Sequence, residues 1–331
     1  MTLAVPSRFN ILAVVQKGRL QYEAVLLAAS LRAADPDFAG RLYLAEPQPG
    51  PLWADDPRID DPAVRALLNN LGATILPFEN TTFGASYPNG NKIEALRALP
   101  DEPFLFLDTD TLVTGGLSQV SFDFARPSAS VRCEGSWPDP DIYGPPLGRI
   151  WAALYDRFGL DIEPTLDRTQ PEDHWRRHLY FNAGWFFHQS PRRFGALFHD
   201  IARTIRDDPP AELLGQPLYP WLDQIALPLV IHALGGGRPG PELSGLDGAV
   251  TCHWRLMPLL FARESDLAVE TALRVSAPNP VKKVLKAHEP FRRFLYQGKG
   301  AEARALFDRA DLPRREQAIR HMLRRAGLWL R

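Results

Sequence analysis

Two aspartates, Asp108 and Asp110, stand two residues apart directly after an apolar run, residues 104–107. Side chains alternate along a strand, so this spacing directs both carboxylates to one side where the strand ends. Ligands of open α/β sheets bind at that carboxyl end, and carboxylate oxygens suit Mg²⁺ or Mn²⁺ shared with nucleotide phosphates. The pattern predicts a metal and phosphate site. Aspartates also crowd strand-to-loop junctions for turn formation alone, but the apolar run favours the functional interpretation.

The elements around this motif alternate between strand and helix. Strands and helices are predicted in turn at residues 9–15, 22–32, 41–45, 62–71, 73–78 and 91–99. This rhythm is typical of an α/β fold with a mostly parallel, doubly wound sheet and helices on both faces. No Gly-x-Gly-x-x-Gly follows the first strand, so the dinucleotide-binding fingerprint is missing.

The second half of the chain is less regular. A segment rich in tryptophan, proline and mixed charge, residues 132–177, contains one predicted helix. The elements predicted after it are a strand at 180–188, helices at 192–206 and 221–234, and strands at 249–254 and 281–288. We assign residues 1–295 to one catalytic domain, with a nucleotide-binding half of about 1–115 and an acceptor and sugar half of about 116–295. Residues 296–331 form a basic helical extension.

Composition describes an ordinary globular protein of 331 residues with a formal charge of −1, so no global field favours nucleic acid. The two cysteines, Cys133 and Cys252, form no Cys-x-x-Cys pattern and are typical of reduced core residues. The N-terminus lacks a basic n-region and a small-residue cleavage site, and no window is long enough to span a bilayer. We expect a cytoplasmic protein.

Four segments, in order along the chain, carry a resemblance to one enzyme superfamily. They are NKIEAL at 91–96, FLFLDTDTLV at 104–113, FNAGW at 181–185 and LDQ at 222–224. With them the chain resembles the GT-A superfamily of nucleotide-sugar glycosyltransferases, and most closely the family 8 type. His288, at the end of the predicted strand 281–288, is similar in position to the distal metal-binding histidine of that superfamily.

The resemblance implies a Rossmann-like GT-A fold and a hexosyltransferase. Its donor is a nucleotide sugar, with UDP-sugars favoured, and its acceptor is a glycan, a lipid-linked sugar or another hydroxyl group. Transfer is retaining and needs no side-chain base; an inverting variant needs a carboxylate near the acceptor, for which Asp223 is the first candidate. The implied metal ligands are Asp108, Asp110 and His288, with His253 as the competitor for the histidine. The ion is Mn²⁺ or Mg²⁺, and imidazole suits Mn²⁺ better.

The nucleotide is expected at the start of the predicted helix 91–99. Asn91 and Glu94 form an Asn-type capping box that places Lys92 in the first turn, where free N–H groups attract anions. The resemblance implies that Lys92 contacts the nucleotide or its diphosphate, although a solvated helix lysine explains it equally well. Gln16 and Tyr22, after the first strand, are candidates to hold the base, and core positions explain them equally well.

The donor sugar is expected near two later segments. Small residues interrupt an aromatic strand at Asn182 and Gly184, which suits a close approach of the backbone to a ligand or, alternatively, a β-bulge. Asp223 and Gln224 stand at the start of an apolar helix. The resemblance implies that one of them faces the donor sugar and the reacting centre. Asp223 is also consistent with a carboxylate in the first helical turn whose only role is a favourable interaction with the helix dipole.

The chain departs from the family 8 pattern after His288. Those enzymes follow the histidine with a short Gly and Lys-Pro-Trp pattern that closes over the diphosphate, whereas Glu-Pro-Phe-Arg-Arg stands here. Lys286, Arg292 and Arg293 are candidate substitutes.

The acceptor is expected at the aromatic segment, with Trp137, Tyr143 and Trp151 as sugar-stacking candidates, although Trp151 also suits packing. At the C-terminus, residues 314–331 hold six arginines and one glutamate, Glu316, with apolar residues at helical spacing. Such a helix makes a peripheral contact with anionic lipid or a lipid-linked acceptor, or packs on its own domain.

Two other functions match parts of the pattern. Asp108 and Asp110 also fit the first motif of HAD-type phosphatases, as nucleophile and general acid. That fold needs a later apolar strand ending in paired acidic residues, and the only downstream Asp-Asp pair, at 207–208, follows a helix. A catalytically inactive sugar-nucleotide-binding module is the second alternative.

Overall fold

The computed structural model describes residues 8–133, 135–139 and 143–330. The strands are β1 (Asn10–Val14), β2 (Leu42–Pro47), β3 (Ala73–Phe78), β4 (Phe104–Leu107), β5 (Thr111–Val113), β6 (Ala129–Ser130), β7 (Asn182–His188) and β8 (Thr251–His253). The helices are α1 (Arg19–Ala34), α2 (Pro62–Asn70), α3 (Asn91–Glu94), α4 (Leu147–Arg157), α5 (Pro191–Asp207), α6 (Leu222–Ala233), α7 (Met257–Arg263), α8 (Asp266–Ser276), α9 (Asn279–Leu285), α10 (Glu289–Tyr296), α11 (Lys299–Ala305) and α12 (Glu316–Arg325). Residues 1–7, where the sequence predicts no leader peptide, lie outside the described part of the chain.

A six-stranded sheet with the order β3-β2-β1-β4-β7-β6 forms the centre of the protein. The pairs β1–β2, β1–β4 and β2–β3 are parallel, whereas β7 runs antiparallel to β4 and to β6. Parallel neighbours need crossover connections, and α1, α2 and α3 lie in these connections. The predicted α/β fold with a mostly parallel sheet is confirmed.

Helices cover both faces of this sheet, as predicted. Leu105 and Leu107 of β4 belong to one core, together with apolar residues of α1, α2 and α7–α12. Phe104 and Phe106 belong to a second core, together with α4, α5 and α6. This alternation follows from the two-residue period of a strand. It leaves the loop after Leu107 at the carboxyl edge of the sheet, between the two layers.

A small second sheet joins the chain after the aspartate motif to a distant segment. Strand β5 pairs antiparallel with β8, and Thr111 lies opposite His253. The N–H group of Trp254 also donates to the carbonyl oxygen of Asp110 over 2.9 Å. This pairing brings β8 to the aspartates.

The predicted strand at 281–288 is wrong, because this segment forms helix α9 and the turn after it. Its buried residues are Val281, Val284 and Leu285, which have the i, i+3, i+4 spacing of a helix face. Pro280 lies in the first turn, where a missing N–H costs nothing.

The predicted capping box at Asn91 is also wrong. The N-cap is Gly90, without a side-chain hydrogen bond, and the side chain of Asn91 bonds to Gln16 and Asn80 instead. The carboxylate of Glu94 accepts backbone N–H groups from the preceding loop, at residues 81–83. Lys92 nevertheless lies in the first turn of α3.

The C-terminal segment, predicted as a helical extension, packs on the rest of the protein. Phe307, Ile319 and Leu323 are buried in the same core as α1. Packing on its own domain was one of two interpretations of this segment. Among the described residues, no helix combines the length and the apolar character needed to cross a membrane.

Candidate active site

A cavity of about 360 Å³ opens at the carboxyl edge of the central sheet, and α1, α3, β7, α6, β8 and α12 all contribute to its wall. Among the described residues that line it, four are acidic and four are arginine or lysine. They are Glu23, Asp108, Asp110 and Asp223, and Arg19, Lys92, Arg255 and Arg320. A cavity with side chains of both signs can hold both a cation and an anionic ligand.

Asp108, Asp110 and His253 form a compact group at this cavity. One ligand atom from each residue lies within 4.8 Å of the others. The Nε2 atom of His253 is 3.1 Å from Oδ1 of Asp110 and 3.8 Å from Oδ2 of Asp108. Two carboxylates and an imidazole are a suitable ligand set for Mn²⁺, and for Mg²⁺ with less preference.

Gly184 allows His253 to lie this close to the sheet. A Cβ atom at residue 184 would lie 2.4 Å from Nδ1 of His253, closer than real Cβ contacts. The carbonyl oxygen of Gly184 also accepts the N–H of Asp108 over 2.9 Å. The close contact that Gly184 permits is with His253, and an approach of a bound ligand to this backbone stays a prediction.

His288 is not part of this group, which corrects its selection over His253 as the third ligand. Its ring lies 5.0 Å from that of Tyr22 and 5.3 Å from that of Phe291. Burial, together with the charge of Arg19, lowers the pKa of His288 below its ordinary value. The physical reason is that α9, rather than a strand, precedes His288, so the residue is not carried to the sheet edge.

Lys92 connects Asp108 to Asp223 inside the protein. Its Nζ atom is 3.0 Å from Oδ1 of Asp108 and 3.2 Å from Oδ2 of Asp223, and it donates to the carbonyl of Ala183 over 3.1 Å. Burial opposes the charge of Lys92, but the two carboxylates outweigh it and raise the pKa above its ordinary value. The solvated-lysine interpretation is therefore wrong, because Lys92 is buried.

Asp223 is held on both of its oxygens. Besides Lys92, it accepts a hydrogen bond from the hydroxyl of Tyr87 over 2.7 Å, and its N–H donates back to that oxygen over 2.9 Å. Its neighbour Gln224 accepts from the hydroxyl of Tyr180 over 2.9 Å. Both Asp223 and Gln224 line the cavity.

Asn182 lines the same cavity at the start of β7. Its Oδ1 accepts the N–H of Gly184 over 2.9 Å, and its Nδ2 donates to the carbonyl of Arg132 over 3.1 Å. These bonds fix the amide and orient its plane.

Arg19 and Glu23 are site residues that the sequence analysis missed. The Nη1 atom of Arg19 is 2.5 Å from Glu23 and 3.7 Å from Oδ2 of Asp110. Burial first, and then the charge of Asp110, raise the pKa of Glu23 well above its ordinary value. The available signal was an i, i+4 pair of opposite charge at the start of an otherwise apolar helix after β1.

The carboxylate of Asp110 is strongly ionised. Burial raises its pKa, but His253 and Arg19 outweigh burial and lower the pKa to about 2. At the same site, burial raises the pKa of Asp108 against the opposing charges of Lys92 and His253. The two aspartates therefore differ in their affinity for a proton.

The predicted nucleotide residues Asn91, Gln16 and Tyr22 are not among the described residues that line the cavity. The amide of Asn91 donates to Gln16 over 2.9 Å, and Asn91 is buried. The hydroxyl of Tyr22 lies 3.5 Å from Asp61, and its ring packs on His288. The side-chain amide of Asn91 thus links Gln16 to Asn80.

The predicted sugar-stacking tryptophans are packing residues. Trp137 and Trp151 are both buried and meet edge-to-face, with ring centroids 5.5 Å apart. Tyr143 is 97% exposed. Among the described residues, the one with an aromatic six-membered ring at the cavity wall is Trp221, directly before α6.

Comparisons with known proteins identify the chain's relatives. Residues 11–235 match the family model described as the Rhodobacterales glycosyltransferase domain. No curated protein sequence is significantly similar to the chain. The match includes the aspartate motif and the start of α6 but ends before β8 and the C-terminal helices.

Several solved structures are similar. The structure of galactosyltransferase LgtC in complex with donor and acceptor sugar analogs is 16% identical, with a TM-score of 0.48, over 86% of this chain and 99% of that chain. The bifunctional glycosyltransferase WbbM is 11% identical, with a TM-score of 0.48, over 87% of this chain and 53% of that chain. The glycosyltransferase GlyE of Streptococcus pneumoniae TIGR4 is 14% identical, with a TM-score of 0.43, over 88% of this chain and 64% of that chain.

Proposed function

The chain belongs to the Rhodobacterales glycosyltransferase family, and we propose that it transfers a sugar from a nucleotide-sugar donor to a hydroxyl group in a metal-dependent reaction. The observation that carries this proposal is the group Asp108, Asp110 and His253 at a cavity that also presents basic side chains. Family membership decides against the phosphatase alternative.

The metal site is proposed from the chemistry of its side chains. Asp110 is ionised, and its neighbour His253 offers a nitrogen on the same side of the cavity. These two residues and Asp108 would hold Mn²⁺ or Mg²⁺. When bound, the ion supplies positive charge that stabilises the departing diphosphate.

The other side of the cavity is proposed for the donor sugar and the reacting centre. Asn182, Asp223 and Gln224 line it, and each side chain is held by hydrogen bonds. Both oxygens of Asp223 have partners, so this carboxylate is better suited to orienting the donor than to accepting a proton. That arrangement supports the retaining transfer implied by the family 8 resemblance, with a UDP-sugar favoured as donor.

The acceptor is proposed to enter beside Trp221, whose ring offers an aromatic surface at the cavity. A glycan or a lipid-linked sugar offers the hydroxyl group and a ring face that stacks on indole. Contact with a membrane through α12 stays a prediction. The apolar residues Ile319 and Leu323 are buried in the core, so such a contact would depend on the arginines of this helix.

Thermal unfolding with UDP, GDP, ADP and CDP and their sugars, each with Mn²⁺ or with EDTA, tests the proposal. We expect one nucleotide series to raise the unfolding temperature only with the metal, because a ligand stabilises the state it binds. Release of the nucleoside diphosphate from the matching sugar nucleotide then separates an enzyme from an inactive binding module. No metal-dependent response to any series would overturn the proposal.

A further inference from the structure

Helix α12 carries a buried carboxylate that binds three arginines. Glu316 is the first residue of the helix, and only 6% of its side chain is exposed. Its Oε2 atom accepts from Arg255 over 2.8 Å and from Arg263 over 2.7 Å. Its Oε1 atom accepts from Nε of Arg320 over 2.6 Å. One carboxylate thus gathers three guanidinium groups.

Two of these arginines reach the cavity of the aspartates. Arg255 and Arg320 line it, from the chain after β8 and from α12 respectively. Arg255 adopts φ 64°, a conformation that is costly for a residue with a side chain. Its carbonyl oxygen accepts from Arg19, over 2.8 Å. This backbone bond and Glu316 hold Arg255 at the cavity wall.

The contacts of Glu316 also keep its carboxylate ionised. Burial raises the pKa of this carboxyl, but Arg255, Arg320 and Arg263 outweigh burial and lower it below the ordinary value. The ring of Trp329 packs against Arg320, with 5.3 Å between its guanidinium carbon and the ring centroid. Arg320 is thus supported on two sides while it faces the cavity.

The residues that were candidates to replace the missing Lys-Pro-Trp pattern have other surroundings. Lys286 lies over the ring of Tyr296, and Arg293 pairs with Glu289 over 2.9 Å. Within the described part of the chain, neither these two nor Arg292 line the cavity. The basic groups on the Asp110 side of it come instead from α1, the end of β8 and α12.

We propose that Arg255 and Arg320 bind the diphosphate of the donor and that Glu316 is the residue that positions them. This inference rests on the proposed function. Guanidinium groups bind phosphate oxygens through paired, charge-assisted hydrogen bonds. The carboxylate of Glu316 reduces the mutual repulsion of the arginines and holds Arg255 and Arg320 at the cavity wall, where they can meet an anion. Helix α12, outside the segment that matches the family model, is therefore part of the donor site.

The test compares a nucleoside diphosphate with its monophosphate. Calorimetry with saturating Mn²⁺ gives the dissociation constants of UDP and UMP, or of whichever pair the wild-type protein binds. We expect Arg320→Ala to reduce the preference for the diphosphate about tenfold, which is the effect of one lost charge-assisted hydrogen bond. Arg320→Lys retains the charge and should keep part of the preference, and Glu316→Gln should lower it as well.

Arg324→Ala is the matched control. Arg324 lies one turn further along α12, is exposed, and also packs on Trp329, with 5.1 Å to its ring centroid. Its replacement should leave the preference unchanged. A purely structural effect would weaken the diphosphate and the monophosphate equally. If Glu316→Gln does not fold, the two Arg320 variants carry the test.

Two results would overturn the inference in different ways. If the wild-type protein binds a nucleoside diphosphate with metal and Arg320→Ala keeps the same preference within twofold, the diphosphate role is wrong and the proposed function stands. If the wild-type protein binds none of the nucleoside diphosphates, the proposed function fails and the inference fails with it.

Discussion

The Nε2 atom of His253 lies 3.1 Å from Oδ1 of Asp110, although 142 residues lie between them in the chain. The antiparallel pair β5–β8 brings them together, and the N–H of Trp254 adds a hydrogen bond to the carbonyl of Asp110. Backbone pairing, rather than the two side chains themselves, therefore sets their separation.

Replacement of His253 should weaken metal-dependent donor binding. His253→Ala removes the nitrogen ligand, and we expect the affinity for Mn²⁺ to fall roughly tenfold or more. Titration calorimetry of Mn²⁺ with the nucleotide present measures the change. His288→Asn is the comparison, because His288 packs on Tyr22 and Phe291 outside the group. Equal losses in both variants would count against His253 as the ligand.

Gly184→Ala should disturb the metal site more than the fold. The new Cβ would lie 2.4 Å from Nδ1 of His253, so the ring must move away from the aspartates. We expect a loss of Mn²⁺ affinity at a nearly unchanged unfolding temperature. Gly148→Ala in α4, where a Cβ meets no atom within 4 Å, is the matched control. Wild-type Mn²⁺ affinity in Gly184→Ala would contradict this account of the glycine.

Lys92→Met should destabilise the fold. The substitution leaves Asp108 and Asp223 near each other without the ammonium group that now lies 3.0 and 3.2 Å from them. Removing one partner of a buried ion pair costs about 3 kcal/mol or more. Urea unfolding at neutral pH measures the loss. Lys299→Met, at a surface pair with Glu302, should change the free energy of unfolding by less than about 1 kcal/mol. A similarly small change in Lys92→Met would show that the buried pair is not needed for stability.

His178 should make the protein less stable in acid. It is 5% exposed, its ring stacks on Trp151, and burial first, then Arg177 and Arg238, lower its pKa to about 4. In the unfolded chain this imidazole takes up its proton near pH 6.5. The contribution of neutral His178 to the free energy of unfolding is therefore fully present above that pH. It is lost as the pH falls from about 6.5 to about 4, by up to ~3 kcal/mol.

The measurement for His178 is urea unfolding of the wild-type protein and His178→Phe between pH 7 and pH 4.5. Phenylalanine cannot take up a proton, so the variant should lose less free energy of unfolding over this range. Parallel pH curves for the two proteins would show that His178 does not contribute.

The pattern of neighbouring residues was sufficient to predict the layered fold and the position of the aspartate motif. The apolar run at 104–107 forms β4. Because side chains alternate along a strand, Phe104 and Phe106 enter one core and Leu105 and Leu107 enter the other. The same reasoning gave a wrong prediction where the spacing of apolar residues suits both a strand and a helix. Val281, Val284 and Leu285 fit a helix face, and the interpretation of this segment as a strand led directly to the choice of His288.

The sequence by itself determined the α/β class, the glycosyltransferase resemblance, and the place of Asp108 and Asp110 at a strand end, because each depends on residues that are near one another in the chain. Tertiary structure decided which distant groups complete the site. His253 arrives through β5–β8 pairing, Arg19 and Glu23 through the packing of α1, and Arg320 through the docking of α12. These contacts depend on how layers pack, and the spacing of residues along the chain carries little information about that.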